Sequence, residues 1–267
     1  MRRTFIALVV SFSAGSVLGF VEPILTVRRG GCPGCSSAMP RLRGGVQPTA
    51  CTSGDSSVDK SGISERLAAI QGRVKEASQP TGEAQLVAVS KIQTNEAIMV
   101  AYEAGHRCFG ENYVQELVTK APLLPPDIRW HFIGMLQSNK AKGLVAGVKN
   151  LAVVESVHSI KTATALEKAC EAAARETPLQ VMVQVLTSGE DSKSGCVPEE
   201  AVALAQHILS TCPRLSLIGL MTIGKFGDPD PEPYFDLLKK CRVEVAAALG
   251  REEASLQLSM GMSGDFE

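Results

Sequence analysis

Six stretches of this 267-residue chain carry groups that could do chemistry. In Leu86-Val87-Ala88-Val89-Ser90-Lys91 a lysine directly follows an apolar run. At the rim of a sheet, partial desolvation disfavours an ammonium and frees the amine to attack an aldehyde. On position alone, a surface lysine that lays its stem on apolar neighbours is the commoner alternative. Phe109-Gly110-Glu111-Asn112-Tyr113 ends a second run. There Gly110 permits close approach, and Asn112 offers an amide to a ligand, or else Glu111 or Asn112 caps the next helix. Trp130-His131-Phe132-Ile133-Gly134 holds a histidine inside an apolar run, which reads as a hydrogen-bonded core residue or as a base. Gln137, Asn139 and Lys140 follow, able to cap a helix or to touch a ligand. Ser188 to Gly195 reads as a solvated connection or a rim loop. Ser259-Met260-Gly261-Met262-Ser263-Gly264-Asp265 leaves backbone N–H groups and a hydroxyl free for an anion, or forms an ordinary turn. Gly219 to Lys225 nearly spells a nucleotide phosphate loop. Phe226, however, stands where a metal-binding Ser or Thr is needed, and Leu-Met-Thr-Ile is strand-like, so the nucleotide reading fails.

The elements that must position these groups alternate strand and helix. An amphipathic opening helix carries Ile63, Leu67, Ile70 and Val74. Apolar, β-rich runs follow at Gln85–Val89, Arg107–Gly110, Ile128–Ile133, Leu151–Val154, Gln180–Leu186, Leu215–Ile223 and Leu256–Ser259. Their lack of alternation marks strands buried on both faces of a parallel sheet. Helices are expected between them: Asn95–Ala104, Tyr113–Lys120, Ile160–Arg175 capped by Ser159, one opening at Pro198, and Pro233–Leu249. This pattern fits a (β/α)₈ TIM-type barrel or a doubly wound sheet. No G-x-G-x-x-G follows the first strand, which disfavours the dinucleotide-binding form of the latter. A barrel also brings all the polar strand ends to one face, where barrel active sites lie. Seven strands are accounted for, so the expectation is a barrel lacking the eighth strand.

Composition narrows the function classes. Lys+Arg 27 against Asp+Glu 28 gives a net charge of -1, without the basic footprint of a nucleic-acid binder. Aromatics at 4% with one Trp supply no base-stacking platform. Residues 1–59 differ from the body, with six Arg and three acids. Arg2 and Arg3 precede an apolar run from Phe5 to Phe20, and an Arg-, Gly-, Ser- and Pro-rich stretch follows. That is a signal-type segment followed by a transit-type segment, like the two-part leaders of algae with secondary plastids. Plastid import is the expected address, with mitochondrial, secretory and cytoplasmic locations as alternatives. The leader is expected to be disordered or removed, leaving 60–267 as the folded domain with no stable membrane insertion. Cys32-Pro-Gly-Cys35 lacks a second pair or histidines, so no zinc site is expected, and no disulfide framework either.

An aldehyde-seeking lysine and a small-residue phosphate cradle together suit pyridoxal 5′-phosphate (PLP). Residues 84–267 closely resemble the pyridoxal phosphate homeostasis protein family. The resemblance rests on VAVSK (87–91), AYEAGHRCFGENYVQEL (101–117), WHFIGMLQSNK (130–140), SGEDSKSG (188–195), GLMTIGKFGD (219–228) and LSMGMSGDF (258–266). It implies a PLP-binding barrel like the N-terminal domain of alanine racemase, with no second domain. Lys91 matches the Schiff-base lysine, Asn112 a residue near the cofactor, and Ser263 the phosphate-binding serine. The implied role is to buffer and deliver PLP without catalytic turnover, as a monomer, with PLP-dependent apo-enzymes as partners. The alternatives are an amino-acid racemase-like enzyme and a degenerate barrel acting in protein interactions. Two departures weaken polar contacts: Ile92 stands where Thr is common, and Leu186 where Asn is common. The family also continues past Asp265 into a last strand bearing Arg-x-Gly, so a C-terminal truncation and weak PLP retention are expected.

Overall fold

The computed structural model describes residues 5–8, 60–78, 84–190, 194–225 and 227–262, the first four as a backbone path. Ser263 and the leader cysteines Cys32, Cys35 and Cys51 lie outside the described residues.

Seven parallel strands form in the order the sequence predicts: β2 (Gln85–Val89), β3 (Cys108–Glu111), β4 (Arg129–Phe132), β5 (Leu151–Val157), β6 (Leu179–Gln184), β7 (Leu215–Met221) and β8 (Gln257–Met260). Between them run α2 (Asn95–Glu103), α3 (Val114–Lys120), α4 (Ala141–Gly147), α5 (Ile160–Ala172), α6 (Ala201–Thr211) and α7 (Glu232–Ala248), with α1 (Lys60–Ala77) ahead of β2. Boundaries shift by a few residues. Thus β6 stops at Gln184 because Cys196 closes back on it, donating to Gln184 O while accepting from Leu186 N. Pro198 opens a 3₁₀ turn that leads into α6.

Local chemistry explains the helix starts. The Thr94 side chain accepts from Ala97 N at the head of α2. Ser159 accepts from Thr162 N at the head of α5, as predicted. Outward-facing Phe109, Trp130 and Phe132 are fully buried, as a sheet covered by helices requires. Val87, Val89, Cys108, Ile133, Val153, Met182 and Met221 form the cluster that fills the interior. Gly219 allows β7 and β8 to approach closely, since a Cβ there would sit 2.0 Å from Gln257 O.

The strand expected to be missing after β8 is indeed not seen among the described residues, but its place is filled from elsewhere in the chain. No strand follows β8 among the described residues, yet the barrel is closed. The place between β2 and β8 is taken by β1 (Phe5–Leu8), which the sequence assigns to the leader. It runs parallel to both neighbours: Ile6 pairs with Gln85 and Leu8 with Val87 on one side, and Phe5 pairs with Leu258 and Ala7 with Met260 on the other. The physical reason is the pair of open edges a seven-stranded barrel would present. Each carries unpaired N–H and C=O groups, and an extended apolar segment satisfies both rows at once.

Candidate cofactor site at the barrel mouth

Lys91 lies two residues past Val89 and follows Val87 and Val89 in the alternation that faces the interior. It is half-buried, and its amine has no partner among the described residues. The backbone on either side is firmly held. Ser90 N donates to Gly110 O at 2.9 Å, extending the β2–β3 ladder by one rung. Ser90 Oγ donates to Glu111 Oε1 at 2.7 Å. Lys120 Nζ, from the end of α3, donates to Ser90 O at 2.9 Å, to Glu111 Oε1 at 3.0 Å and to Glu116 Oε1 at 2.5 Å. Ile92 N donates to the same Glu116 oxygen at 2.7 Å. Burial pushes the Glu111 carboxyl above its usual range, opposed by the bonds from Ser90 and Lys120.

Asn112 follows Cys108 and Gly110 in the interior-facing alternation of β3. Neither it nor Glu111 caps α3: the cap residue is Tyr113, with no side-chain cap bond. Glu111 is committed to Ser90 and Lys120, and Asn112 Oδ1 is buried without a partner. Gly134 is required beside it, because a Cβ there would lie 1.9 Å from Asn112 O. Three more buried polar atoms near the strand ends lack partners: Ser156 Oγ, Gln184 Oε1 and Ser188 Oγ. Buried polar atoms are nearly always hydrogen-bonded, so these orphans at the strand ends are places where a polar ligand could supply the missing partner.

Below the mouth lies a buried network. His131 Nδ1 is 2.5 Å from Glu155 Oε1, and Ser259 Oγ donates to Glu155 Oε2 at 2.6 Å. Cys108, whose Sγ accepts from Gln85 Nε2 at 2.7 Å, flanks the imidazole. Burial alone would lower the His131 pKa, but Cys108 and the Glu155 carboxylate outweigh it and raise the value to about 9. The close Nδ1–Glu155 contact inside the barrel resolves the choice left open by the sequence in favour of a hydrogen-bonded interior residue.

Other rim segments are positioned from beneath. Thr187 and Thr222 hydroxyls meet at 2.8 Å, and Thr222 Oγ1 also donates to Val185 O. The loop from Ser188 to Gly195 is tied at its base, where Gln184 Nε2 donates to Ser194 O at 2.7 Å. Leu186, the second departure, has its N–H bonded to Cys196 O, and Gly195 at φ +152 leaves room for that turn. Gly261, just past β8, has φ +94, in the left-handed region that glycine adopts without strain. Gln137 stands at a helix start without a side-chain cap bond.

The structure thus brings Lys91 and Asn112 to one face, on neighbouring strands. Sequence reasoning missed Glu155, Glu116 and Lys120. A carboxylate inside Leu151-Ala152-Val153-Val154-Glu155 was a readable signal of a buried partner. Glu116 and Lys120, four apart on a short helix, carry the pattern of an ordinary surface pair.

Strand order and mouth together define a parallel (β/α) barrel, and residues 66–267 match the family described as alanine racemase, N-terminal domain. The mouse pyridoxal phosphate homeostasis protein is 42% identical over 228 residues, covering 80% of this chain and 83% of that protein. Its Schizosaccharomyces pombe counterpart is 45% identical over 184 residues, 68% of this chain and 75% of that one. The structure of PipY from Synechococcus elongatus with PLP bound superposes with a TM-score of 0.60 at 33% identity, covering 76% of this chain and 91% of that one. Alanine racemase from Corynebacterium glutamicum, at 14% identity and a TM-score of 0.54, shares the fold. This chain belongs to the pyridoxal phosphate homeostasis protein family.

Proposed function

We propose that this protein binds PLP at the mouth of the barrel and holds it in reserve for PLP-dependent apo-enzymes, with Lys91 as its covalent anchor. The observation that carries this reading is that half-buried Lys91 and Asn112, whose buried Oδ1 lacks a partner, stand at the ends of two paired strands. PLP supplies an aldehyde that condenses with a primary amine and releases water. The rest is done by the chain. Ser90 and Ile92 fix the backbone from which Lys91 extends, Asn112 presents an amide, and Ser263, two positions past Gly261 in the sequence, is the residue proposed to meet the phosphate. The relatives named for PLP homeostasis and the PLP-bound PipY support the choice of ligand.

Storage without turnover is the finer part of the proposal. Racemisation requires an acid and a base on opposite faces of the cofactor ring, one of which alanine racemase draws from a second domain. The leader composition supports import into a plastid, which a fluorescent fusion of the first 59 residues would report by its location.

The test is reconstitution with PLP, reduction with borohydride and peptide mass spectrometry. The expected result is a pyridoxyl adduct on Lys91 and a visible absorption band that Lys91→Ala abolishes. A band that survives in Lys91→Ala, or an adduct on another lysine, overturns the assignment. Chiral analysis of amino acids incubated with the loaded protein should show no racemisation.

A further inference from the structure

The lysine proposed to anchor PLP sits between two peptide units that one helix grips. On its N-terminal side, Ser90 O accepts from Lys120 Nζ at 2.9 Å and from Gln93 N at 3.1 Å. On its C-terminal side, Ile92 N donates to Glu116 Oε1 at 2.7 Å. Lys120 and Glu116 are themselves joined, one turn apart on α3, and Glu111 completes the set against Lys120. Lys120 is buried, and its three bonds, to two carboxylates and a carbonyl, compensate the loss of water.

Ile92 shows that this grip works against resistance. Its φ is +66, in the left-handed region that β-branched residues avoid, because Cβ crowds the neighbouring carbonyl. Its side chain cannot be what holds it there, being 77% exposed. Two contacts hold the conformation: the turn bond from Gln93 N to Ser90 O, and the bond from the Ile92 N–H to Glu116, which is the one supplied by α3. Such conformations persist where surrounding structure over-determines them, and they cluster at functional sites. In the left-handed region the chain turns away sharply after Lys91, leaving that side chain at the mouth.

We propose that Glu116 and Lys120 are positioning residues for Lys91: they lock the peptide units on both sides of it so that the amine meets an incoming aldehyde in a reactive geometry. The inference rests on the Lys91 reading above and adds to it the source of the lysine's orientation. In the condensation the unprotonated amine attacks the aldehyde carbon. A carbon–nitrogen double bond forms, and the aldehyde oxygen departs as water with the two amine protons. Glu116 and Lys120 touch none of these atoms. Their effect is on how often the amine is in place, a contribution that positioning makes to rate more than to ligand affinity.

The test compares wild type with Glu116→Ala, Glu116→Gln, Ile92→Gly and the double variant Glu116→Ala/Ile92→Gly. Three readouts are used. Covalent capture is followed by growth of the visible band and by borohydride-fixed adduct on Lys91. Affinity for pyridoxine 5′-phosphate, which lacks the aldehyde, reports the site without the covalent step. Hydrogen exchange of the Ile92 amide in PLP-free protein reports the clamp itself.

Glu116→Ala is expected to slow capture by about tenfold or more while leaving pyridoxine 5′-phosphate affinity within about twofold, on the scale that misplacement of a reacting group produces. Its Ile92 amide loses protection. Glu116→Gln, which keeps an acceptor for Ile92 N, stays closer to wild type. The double variant recovers capture, because glycine adopts the left-handed conformation without a Cβ clash. Wild-type capture in folded Glu116→Ala overturns the proposal. So does a parallel loss of both ligands without recovery in the double variant, which would make the network a structural tie only. Should Glu116→Ala fail to fold, Glu116→Gln and Ile92→Gly carry the test: a slowed capture in Ile92→Gly with its amide still protected would overturn it. If wild type itself forms no adduct on Lys91, the Lys91 reading fails first, and the clamp falls with it.

Discussion

Glu155 Oε1 lies 2.5 Å from His131 Nδ1 inside the barrel, and neither side chain has appreciable contact with solvent. The second Glu155 oxygen takes the Ser259 hydroxyl, so one carboxylate joins β4, β5 and β8 across the interior. Breaking such a pair from one side leaves a charge with neither partner nor water. Glu155→Ala should therefore destabilise the fold by roughly 3–5 kcal/mol. Urea unfolding would register the loss as a lower midpoint, and a midpoint unchanged from wild type would contradict the role given to the pair.

The same pair makes stability depend on pH. The His131 pKa is raised in the folded state from the ordinary 6.5 to about 9. A raised histidine pKa means that the folded protein holds a proton the unfolded chain releases. The stabilisation is thus complete below about pH 6.5 and disappears as pH rises through about 9. Melting temperatures measured from pH 6 to pH 10 should fall across that window in wild type and fall less in His131→Phe. Equal slopes in the two proteins would show that another group is responsible.

Gly134 is fixed by the backbone it faces. A methyl group there would lie 1.9 Å from Asn112 O, well inside contact distance. Because the obstacle is backbone, relief requires β3 or the segment after β4 to move, and Asn112 would move with it. Gly134→Ala should weaken PLP binding several-fold and cost about 1–3 kcal/mol of stability, the usual scale of overpacking. Titration monitored at the visible band would detect the first effect, and thermal unfolding the second.

Strand β1 closes the ladder between β2 and β8. Removing the first 58 residues should expose two parallel edges that are prone to pair with other chains. Size-exclusion chromatography should then show self-association, together with a lower melting temperature. A truncated chain that stays monomeric with an unchanged melting temperature would mean that the barrel body does not need this strand.

Much of this architecture was legible in the sequence. Seven apolar runs gave seven strands because a parallel strand covered on both faces leaves a continuous apolar signature. Lys91 was not decisive on position alone, where a surface lysine is the commoner reading; it stood out only together with the small-residue segment after the last strand and the family motifs. The clamp around it was not legible. Glu111, Glu116 and Lys120 converge through the β3–α3 turn, and only tertiary contact turns a surface-like pattern into a buried one. The role of Phe5–Leu8 was hidden for a different reason. An apolar extended segment suits both a targeting signal and a strand, and the choice depends on a gap formed by residues far along the chain.

That separation has a consequence for timing. Phe5 pairs with Leu258, about 250 positions later, so the first strand to leave the ribosome is among the last able to dock. At roughly 5–20 residues per second, an interval of about a quarter of a minute or more passes before its second neighbour has been synthesised. Throughout that interval the amino-terminal stretch is open to whatever recognises nascent chains, and only afterwards does folding withdraw it.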